Sequence, residues 1–306
     1  IEELLQAGVK EWVLCPSSRN APLVQLLIQS AQTVHYWPEE RSASFFALGR
    51  ARRLKAPIAV VVTSGTAAGE LLPAVMEAYY SSVPLVVVTA DRPKRFRGKG
   101  APQSAEQKEL FGIYTPCRYD LDGNERCILA DWNRRTPLHL NLCFEEPENE
   151  LKTTIRMPEK LYSAMELPEA SLDPLLSFLK RSRNPLIIVG GLERSEHSAV
   201  FRFLYEMRAP VYLEAPSGLR EVPQLQPLRI TYPELSNFDG VLRLGRVPTH
   251  RIWRDLESKA NLIEMLSISA QPFPGLSWSQ HIHTDLAVYL AKVEGPLRCY
   301  ERPESF

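Results

Sequence analysis

The sequence contains little cysteine, and none of the spacings that give cysteine a structural role. Its 306 residues include five cysteines, and no two of them form a C-x-x-C pair. This scatter fits neither a disulfide framework nor a structural zinc site. The chain is therefore expected to fold in a reducing compartment, which predicts a cytoplasmic location.

Long apolar runs and a net charge are also absent. Runs such as AVVV and LVVV fall far short of the roughly 20 residues that span a bilayer, and the acidic opening IEELL is unlike the basic start of a signal peptide. The 36 basic and 36 acidic side chains cancel, which leaves no global field to hold nucleic acid. We expect no stable membrane insertion, no nucleic-acid partner and only local anion sites. Because the first residue is not Met, we also expect the natural chain to begin earlier.

Apolar, strand-like segments alternate with segments of helical period along the chain. The first half contains EWVLCP, IAVVVTSG, PLVVVTA and TPLHLNLCF, with helical patterns such as APLVQLLIQS and TAAGELLPAVMEAYYS between them. Continuous apolar strands joined by helices are typical of a parallel sheet covered on both faces. We predict two Rossmann-like, three-layer α/β domains with mainly parallel sheets, at residues 1–150 and 167–293. Segments rich in charge and proline predict linkers at residues 151–166 and 294–306.

Two adjacent acids open the helical pattern of HYWPEERSASFFALGRARR. Pro38 suits the first helical position, and Glu39 and Glu40 suit the positive end of the helix dipole. The basic residues that follow suit the other end of the helix. The local pattern alone leaves open whether one of the glutamates is a catalyst.

Hydroxyl and basic side chains follow three of the predicted strands. VVVTSGTAAGELLPA places Ser64 and Thr66 in a strand-to-helix turn, where they serve either a ligand or the helix as N-caps. The turn is not a P-loop, because no Gly-Lys-Ser/Thr follows. Arg19 follows another strand in LCPSSRNAPL, and Arg92 follows a third in TADRPKRFRGKGAPQSAEQ. Open α/β sheets bind ligands at this edge.

The loop that begins with Arg92 and leads to Gln103 carries four further cations, Lys94, Arg95, Arg97 and Lys99. A nucleic-acid patch would interleave aromatic residues and belong to a basic domain, so that use is disfavoured. A solvated loop remains open, as does a pocket for carboxylates, which arginine binds bidentately.

Two weaker patterns lie in the second half. IVGGLERSE resembles half of a dinucleotide fingerprint but lacks the third spaced glycine. His281 and His283 in QHIHTD could face one side of a strand as metal ligands, but no third ligand is identifiable. We favour an ordinary strand face for the two histidines and predict no metal site in the chain.

Five motifs of the first domain, in this order and spacing, resemble the 2-succinyl-5-enolpyruvyl-6-hydroxy-3-cyclohexene-1-carboxylate synthases, which are thiamine-diphosphate enzymes of menaquinone biosynthesis. The motifs are CPSSRNAPL, EERSASFFALGRA, VVVTSGTAAGELLPAVMEAYYSSVPLVVVTADRP, GAPQSAEQKELFG and TPLHLNLCFEEP. TADRP followed by GA-x-Q distinguishes this family from acetohydroxyacid synthases and pyruvate decarboxylases. The resemblance implies a pyrimidine-binding first domain and a central second domain, where it depends on the fold pattern and on LRLGRVPTHR.

The resemblance also implies a role for one of the two acids. The family pattern D-E-R-S-A lies over Glu39 to Ala43, so Glu40 matches the glutamate that hydrogen-bonds N1′ of the cofactor's aminopyrimidine. That bond favours the imino tautomer, whose 4′-nitrogen can take the proton from C2 of the thiazolium. Glu40 is therefore the expected catalytic residue, and Glu39 belongs to the helix start. Ser64 and Thr66 are expected at the cofactor.

The family decarboxylates 2-oxoglutarate and adds the succinyl carbanion to isochorismate, and both substrates carry carboxylates. The family's substrate-contacting residues match four positions in the first domain and one in the second: Ser18, Arg19, Arg92, Gln103 and His250. At the last position the family has a lysine, and either His250 or the adjacent Arg251 takes its place. The remaining cations of the basic loop are expected to be solvated.

The family binds Mg²⁺ and the diphosphate of its cofactor through a third domain with a G-D-G motif, and nothing in this sequence matches that motif. We expect the chain to lack a diphosphate-binding domain and to be inactive alone. The family's cofactor lies between two subunits, which implies a second copy of the subunit as partner. The alternatives are another thiamine-diphosphate carboligase or decarboxylase, which Arg19, Arg92 and Gln103 disfavour, and a non-catalytic binding or assembly subunit.

Overall fold

The chain divides into two compact units, Ile1–Met165 and Glu166–Phe306. The structure, a computed structural model, describes residues 1–30, 32–123, 125–145, 155–163, 165–260, 262–293 and 300. Residues 151–154 and 164 of the first predicted linker, and all of the second except Tyr300, lie outside the described residues. Every helix among the described residues is too short or too polar to span a lipid bilayer.

In the first unit, six strands form one sheet in which all neighbouring strands are parallel. Along the sheet the order is β2-β1-β3-β4-β6-β5. The strands are β1 (Glu11–Leu14), β2 (Thr33–Tyr36), β3 (Ile58–Val62), β4 (Leu85–Asp91), β5 (Cys117–Asp122) and β6 (Leu138–Cys143).

Helices cover both faces of this sheet, because its central strands are apolar on both sides. They are α1 (Glu2–Gln6), α2 (Ala21–Gln29), α3 (Glu40–Leu54), α4 (Thr66–Gly69) and α5 (Leu72–Tyr80). Val13 and Val60 point to the face covered by α3 and α5, while Trp12 and Val61 point to the face covered by α1 and α2. Alternate residues of one strand thus enter two separate cores.

Three features of this unit differ from the pattern in the sequence. The segment expected as one helix after β3 is divided into α4 and α5, because Pro73 lies in the first turn of α5 and lacks the N–H that a continuous helix would use. The strands β2 and β5 were not predicted. Both are edge strands with partly exposed, polar residues, so they lack the continuous apolar run that marked the central strands.

The second unit has a five-stranded parallel sheet with the order β11-β10-β9-β7-β8. Its strands are β7 (Pro185–Val189), β8 (Val211–Leu213), β9 (Gly240–Leu244), β10 (Glu264–Ser269) and β11 (Gln280–His283). Its helices are α6 (Asp173–Arg181), α7 (His197–Met207), α8 (Arg251–Glu257) and α9 (Leu286–Ala291). Here too a core lies on each face. The prediction of two α/β domains with mainly parallel sheets is confirmed.

The two glycines of IVGGLERSE bring the loops after β7 and β9 together. Gly190 N–H donates to Leu244 O at 3.0 Å, and Arg246 N–H donates to Gly191 O at 2.9 Å. A Cβ at Gly190 would lie 2.0 Å from the carbonyl oxygen of Arg246. Close packing of two strand ends therefore explains this glycine pair without a nucleotide.

Candidate active site at the carboxyl edge of the first sheet

Six of the predicted site residues lie just after the strands of the first sheet. Because these strands are parallel, their carboxyl ends meet at one edge of the sheet. The residues in question follow β1, β2, β3 and β4: Ser18, Arg19, Glu40, Ser64, Thr66 and Arg92. The loop that continues from Arg92 brings Gln103 to the same edge, since Gln103 contacts Ser64. His250 belongs to the second unit.

Glu39 is the N-cap of α3. Its carboxylate accepts hydrogen bonds from Arg41 N–H at 2.8 Å and Ser42 N–H at 2.7 Å, and bonds from Ser42 and Arg41 hold its pKa below the usual value. Glu39 therefore lies at the helix start, as expected, and its carboxylate caps α3. The prediction that Pro38 occupies the first helical position is wrong. The N-cap is Glu39, because its carboxylate accepts from the free N–H groups of the first turn, and Pro38 is the residue before this cap.

Glu40 is half-buried and lines a depression of about 400 Å³ at the ends of β1 and β2. Its side chain has no hydrogen-bond or ion-pair partner among the residues that the structure describes. The wall beside it is firmly held: the Trp37 ring stacks on Phe46 at 4.6 Å, and its Nε1–H donates to Ser42 Oγ at 2.8 Å. A carboxylate left open in a shaped wall can accept or donate a hydrogen bond to a bound ring.

Cys15 lines the same depression, and no sequence pattern had singled it out. Burial, followed by the negative charge of Glu40, raises the pKa of the Cys15 thiol to about 12. The thiol therefore stays protonated at neutral pH. Glu40 is the carboxylate of this depression, and Cys15 contributes a neutral, weakly polar surface beside it.

Asn20 and Arg19 shape the loop after β1. The side chain of Asn20 is completely buried, donating to Cys15 O at 2.9 Å and accepting from Ser17 N–H at 2.8 Å. Arg19 Nη1 donates to Phe144 O at 3.2 Å and to a second carbonyl, of Glu145, at 3.3 Å. The arginine thus joins the ends of β1 and β6, while Ser18 is exposed.

The turn after β3 is paired with the loop that contains Gln103. Ser64 Oγ donates to Gln103 O at 2.9 Å, and Gln103 Nε2 donates to Ser64 O at 3.3 Å. The N-cap of α4 is Gly65, and no side chain caps this helix. The alternative prediction, that Ser64 or Thr66 caps the helix, is therefore wrong. Ser64 is buried against the loop, and Thr66 is exposed as the first residue of α4.

Arg92 also holds this loop. Its Nε and Nη2 donate to Pro102 O at 3.2 and 2.9 Å. The guanidinium is partly exposed at the sheet edge, close to the backbone that carries Gln103. Ser64, Arg92 and Gln103 are thus brought together, although 39 residues of chain separate the first from the last.

The solvated role expected for Arg97 is wrong. Its guanidinium donates to Asp120 at 2.7 Å and to Asp91 at 3.3 Å, and its side chain is only 21% exposed. Burial raises the pKa of Asp120, but hydrogen bonds from Arg97 and Asn141 outweigh it and lower that pKa overall. The partners lie on β4 and β5, and no pattern in the sequence indicated that β5 would place an aspartate there.

A buried polar row runs beneath this edge, on β4 and β6. Thr89 donates to Asn141 Oδ1 at 2.8 Å and lies 2.9 Å from His139 Nε2. Burial lowers the pKa of His139 to about 3, so this ring is neutral. The alternation of apolar and polar residues in LHLNLC is the signal that could have identified the row, because fully buried parallel strands rarely contain polar residues.

His250 is the N-cap of α8 in the second unit, where its Nδ1 accepts from Ile252 N–H at 3.2 Å. The buried carboxylate of Glu214 accepts from the N–H groups of Thr249 and His250 at 2.7 and 2.9 Å. His250 has a structural role in the described geometry, and its substrate role stays a prediction.

In the part of the chain that the structure describes, no three His, Cys, Asp or Glu side chains are grouped to hold a metal ion. His281 and His283 lie on β11 with ring centroids 6.4 Å apart. His281 Nε2 is 2.8 Å from Gln271 O, and His283 Nε2 is 3.2 Å from Ala270 O. Each ring thus has a main-chain carbonyl as its hydrogen-bond partner, which is the ordinary environment of a histidine on a strand.

Comparison with known proteins gives the family context of this site. Residues 1–110 match the family described as thiamine pyrophosphate enzyme, N-terminal TPP binding domain. A curated 2-succinyl-5-enolpyruvyl-6-hydroxy-3-cyclohexene-1-carboxylate synthase of Bdellovibrio bacteriovorus is 40% identical over 291 residues, 90% of this chain and 55% of that protein. The synthase of the same name from Akkermansia muciniphila is 43% identical over 285 residues, 88% of this chain and 52% of that protein.

A solved structure extends the likeness to both units. Benzoylformate decarboxylase from Polynucleobacter necessarius superposes with a TM-score of 0.67 over 94% of this chain and 58% of that one, at 16% identity. Identity this low shows the fold alone. The chain spans about half the length of the curated relatives it matches. Its sequence is similar to those of the 2-succinyl-5-enolpyruvyl-6-hydroxy-3-cyclohexene-1-carboxylate synthases, and its first 110 residues match the N-terminal TPP binding domain of thiamine pyrophosphate enzymes.

Proposed function

We propose that this chain supplies the pyrimidine-binding and central domains of a cytoplasmic synthase that decarboxylates 2-oxoglutarate and adds the succinyl group to isochorismate. The observation that carries the proposal is the Glu40 carboxylate, which lines an open depression at the ends of β1 and β2 and has no partner in the described part of the chain. The names of the curated relatives and the family match support this reaction class.

Thiamine diphosphate, when bound, supplies the thiazolium carbon that attacks the keto group and the electron sink for decarboxylation. Glu40 fits this cofactor, because ring nitrogen N1′ needs a carboxyl partner and the depression leaves that carboxyl accessible. By sharing a proton with N1′, Glu40 favours the tautomer whose exocyclic nitrogen acts as a base. Because Cys15 stays a protonated thiol at neutral pH, we assign the exchange of this proton to Glu40. Ser64 and Thr66 remain predicted cofactor contacts.

Arg19, Arg92 and Gln103 are the proposed carboxylate-binding residues, with Ser18 beside them. Arginine binds carboxylates bidentately, and both guanidinium groups are held at the sheet edge by carbonyl oxygens of neighbouring loops. His250 remains a predicted substrate contact. The described residues do not fit Mg²⁺, since they include no suitable group of ligands. We propose that the metal and the diphosphate are bound by a domain beyond this sequence, and that the enzyme is a homo-oligomer.

The test is an assay of the complete enzyme, obtained by following the reading frame past Phe306. With 2-oxoglutarate, isochorismate, thiamine diphosphate and Mg²⁺, we expect carbon dioxide and a succinylated product, both detected by mass spectrometry and both dependent on 2-oxoglutarate. Turnover of pyruvate or benzoylformate instead would favour another carboligase or decarboxylase. A frame that ends at Phe306, with no turnover of any keto acid, would favour a non-catalytic subunit.

A further inference from the structure

Gln107 is a completely buried glutamine that no sequence motif singled out for a role. It begins the short 3-10 turn Gln107–Glu109. Its Oε1 accepts from Gly65 N–H at 2.8 Å, and its Nε2 donates to Ala90 O at 3.2 Å and to Asn141 Oδ1 at 2.8 Å. Glutamine is seldom fully buried, and here its one acceptor and two donors are all used.

The three partners belong to three different strand ends. Gly65 follows β3, Ala90 lies near the end of β4, and Asn141 lies near the end of β6. The chain of bonds continues to Arg92: Asn141 Nδ2 donates to Asp91 Oδ2 at 2.9 Å, and Arg92 N–H donates to Asp91 Oδ1 at 2.7 Å. One side chain therefore links the turn after β3 to the start of the basic loop.

The segment that carries Gln107 is also the one that presents Gln103. Gln103 has a φ of 56°, in the left-handed region that residues other than glycine seldom occupy. Two hydrogen bonds hold the backbone here: Ser64 Oγ donates to the carbonyl oxygen of Gln103, and Arg92 Nη2 donates to the carbonyl oxygen of Pro102. A Cβ at Gly65 would lie 3.0 Å from Gln103 O, so the two segments are already in close contact.

We propose that Gln107 is a positioning residue, which holds residues 101–107 against the turn at residues 64–66 and so fixes where Gln103 and Arg92 meet a carboxylate substrate. The identity of the substrate rests on the proposed function, whereas the positioning rests on the hydrogen bonds alone. Gln107→Leu removes all three bonds. Gln107→Glu keeps the acceptor for Gly65 but turns an oxygen toward two acceptor oxygens, unless the new carboxyl is protonated.

Kinetics of the complete enzyme test the proposal through the pH profile. We expect Gln107→Leu to lower kcat/KM for 2-oxoglutarate by about 10- to 100-fold, chiefly through KM, because a misplacement of about 1 Å in a site can cost on the order of 100-fold. Burial raises the pKa of a carboxyl group, so Gln107→Glu should be nearest to wild type at low pH. Its kcat/KM should then fall relative to wild type as the pH rises and the donor proton is lost.

A matched control separates positioning from stability. Gln271 is a second buried glutamine, in the second unit, and Gln271→Leu should lower the melting temperature without changing KM. If Gln107→Leu and Gln107→Glu lower the melting temperature but leave KM and its pH profile unchanged, Gln107 is only structural and the proposal fails. Gln107→Glu at low pH provides the test if Gln107→Leu does not fold.

NMR of the 306-residue chain tests the geometry independently of catalysis. We expect Gln107→Leu to shift the Gly65 amide and the Arg92 Nε–H resonance, since both report the contacts of this loop, while Gln271→Leu shifts neither. An unchanged Arg92 resonance would overturn the proposal. If the wild-type complete enzyme makes no product from 2-oxoglutarate, the proposed function fails, and the NMR result still decides the positioning role.

Discussion

Glu39 and Glu40 are adjacent and chemically identical, yet α3 uses them differently. The Glu39 carboxylate accepts two main-chain hydrogen bonds, at 2.8 and 2.7 Å, whereas the Glu40 carboxylate faces the depression lined by Cys15 and Trp37. Both oxygens of the Glu39 carboxylate are thus tied to the helix terminus, whereas the Glu40 carboxylate lines the depression and stays accessible to a ligand. The division of roles follows from which carboxylate reaches the free N–H groups of the first turn.

In the complete enzyme, Glu40→Gln should slow turnover by on the order of 10² to 10⁴, the usual contribution of a positioned acid–base group. Glu39→Gln should have little effect, since an amide oxygen still accepts a main-chain bond. Steady-state kinetics, with circular dichroism to verify folding, measure both variants. Equal losses at the two positions would show that the catalytic residue has been assigned wrongly.

Arg92→Ala should raise KM for the keto-acid substrate, because it removes a charge-assisted partner of a carboxylate. It also releases Pro102 O, which lies in a loop and outside the core, so the melting temperature should change little. Arg95→Ala is the control: Arg95 pairs with Glu145 on an exposed surface, and neither quantity should change. A large fall in melting temperature for Arg92→Ala, with normal kinetics, would point to a structural arginine.

At the level of elements, an ion-paired group joins β1, β2 and α3. Glu11 of β1 accepts from Arg50 Nε of α3 at 2.8 Å, and lies 3.0 Å from His35 Nε2 of β2. Hydrogen bonding from Arg50, supported by His35, outweighs burial and lowers the pKa of Glu11. A carboxyl group whose pKa is lower in the folded state stabilises that state only while it is ionised.

The stability contributed by Glu11 should therefore be present above the pKa of an unfolded glutamate, about 4.3, and should be lost as the pH falls through the lower folded value. Thermal unfolding between acid and neutral pH measures this. Glu11→Gln should lower the melting temperature at neutral pH and flatten its decrease in acid. The control is Glu77→Gln, which removes an exposed ion pair with Arg52 and should leave the dependence of melting temperature on pH nearly as in the wild type. If Glu11→Gln and Glu77→Gln gave the same dependence, the stabilising role assigned to Glu11 would be contradicted.

The loops after β7 and β9 give a second test at this level. In Gly190→Ala the new Cβ would lie 2.0 Å from the main-chain oxygen of Arg246, and backbone cannot move aside as a side chain can. We expect a loss of about 1–3 kcal/mol in the free energy of unfolding, as for other overpacked sites, measured by urea denaturation. The control is Gly49→Ala in α3, where the Cβ meets nothing within 4 Å; an equal effect of both would refute the steric account.

For the whole molecule, the described residues form the depression beside Glu40, where we propose that the pyrimidine end of thiamine diphosphate binds, but they include no group of ligands for a metal ion. The cofactor's charge resides mainly in its diphosphate, which Mg²⁺ must neutralise. We therefore expect the 306-residue chain to fold and to bind thiamine diphosphate with Mg²⁺ only weakly. Calorimetric titration measures the affinity. Binding at micromolar concentration or tighter would contradict this expectation and indicate a diphosphate site within the chain.

The central strands and the sheet class could be predicted because their information is local. A strand buried on both faces needs a continuous apolar run, so β3, β4 and β7 are recognisable in isolation. The edge strands β2 and β5 need no such run, because each pairs with only one neighbouring strand and its residues are partly exposed to solvent. The positions of Arg19, Ser64 and Arg92 after predicted strands followed from the same local patterns, whereas Glu40 follows the unpredicted β2. The roles expected for these residues came from the family resemblance.

The sequence by itself thus determined the two α/β units and the strand ends at which Arg19, Ser64 and Arg92 lie. Tertiary structure alone decided the partners of those residues. Arg97 is paired because β5 brings Asp120 beside it, and Gln107 is buried because three strand ends converge around its amide. The physical reason is range: hydrophobic periodicity acts over a few residues along the chain, whereas these hydrogen bonds join groups that become neighbours only after the sheet has formed.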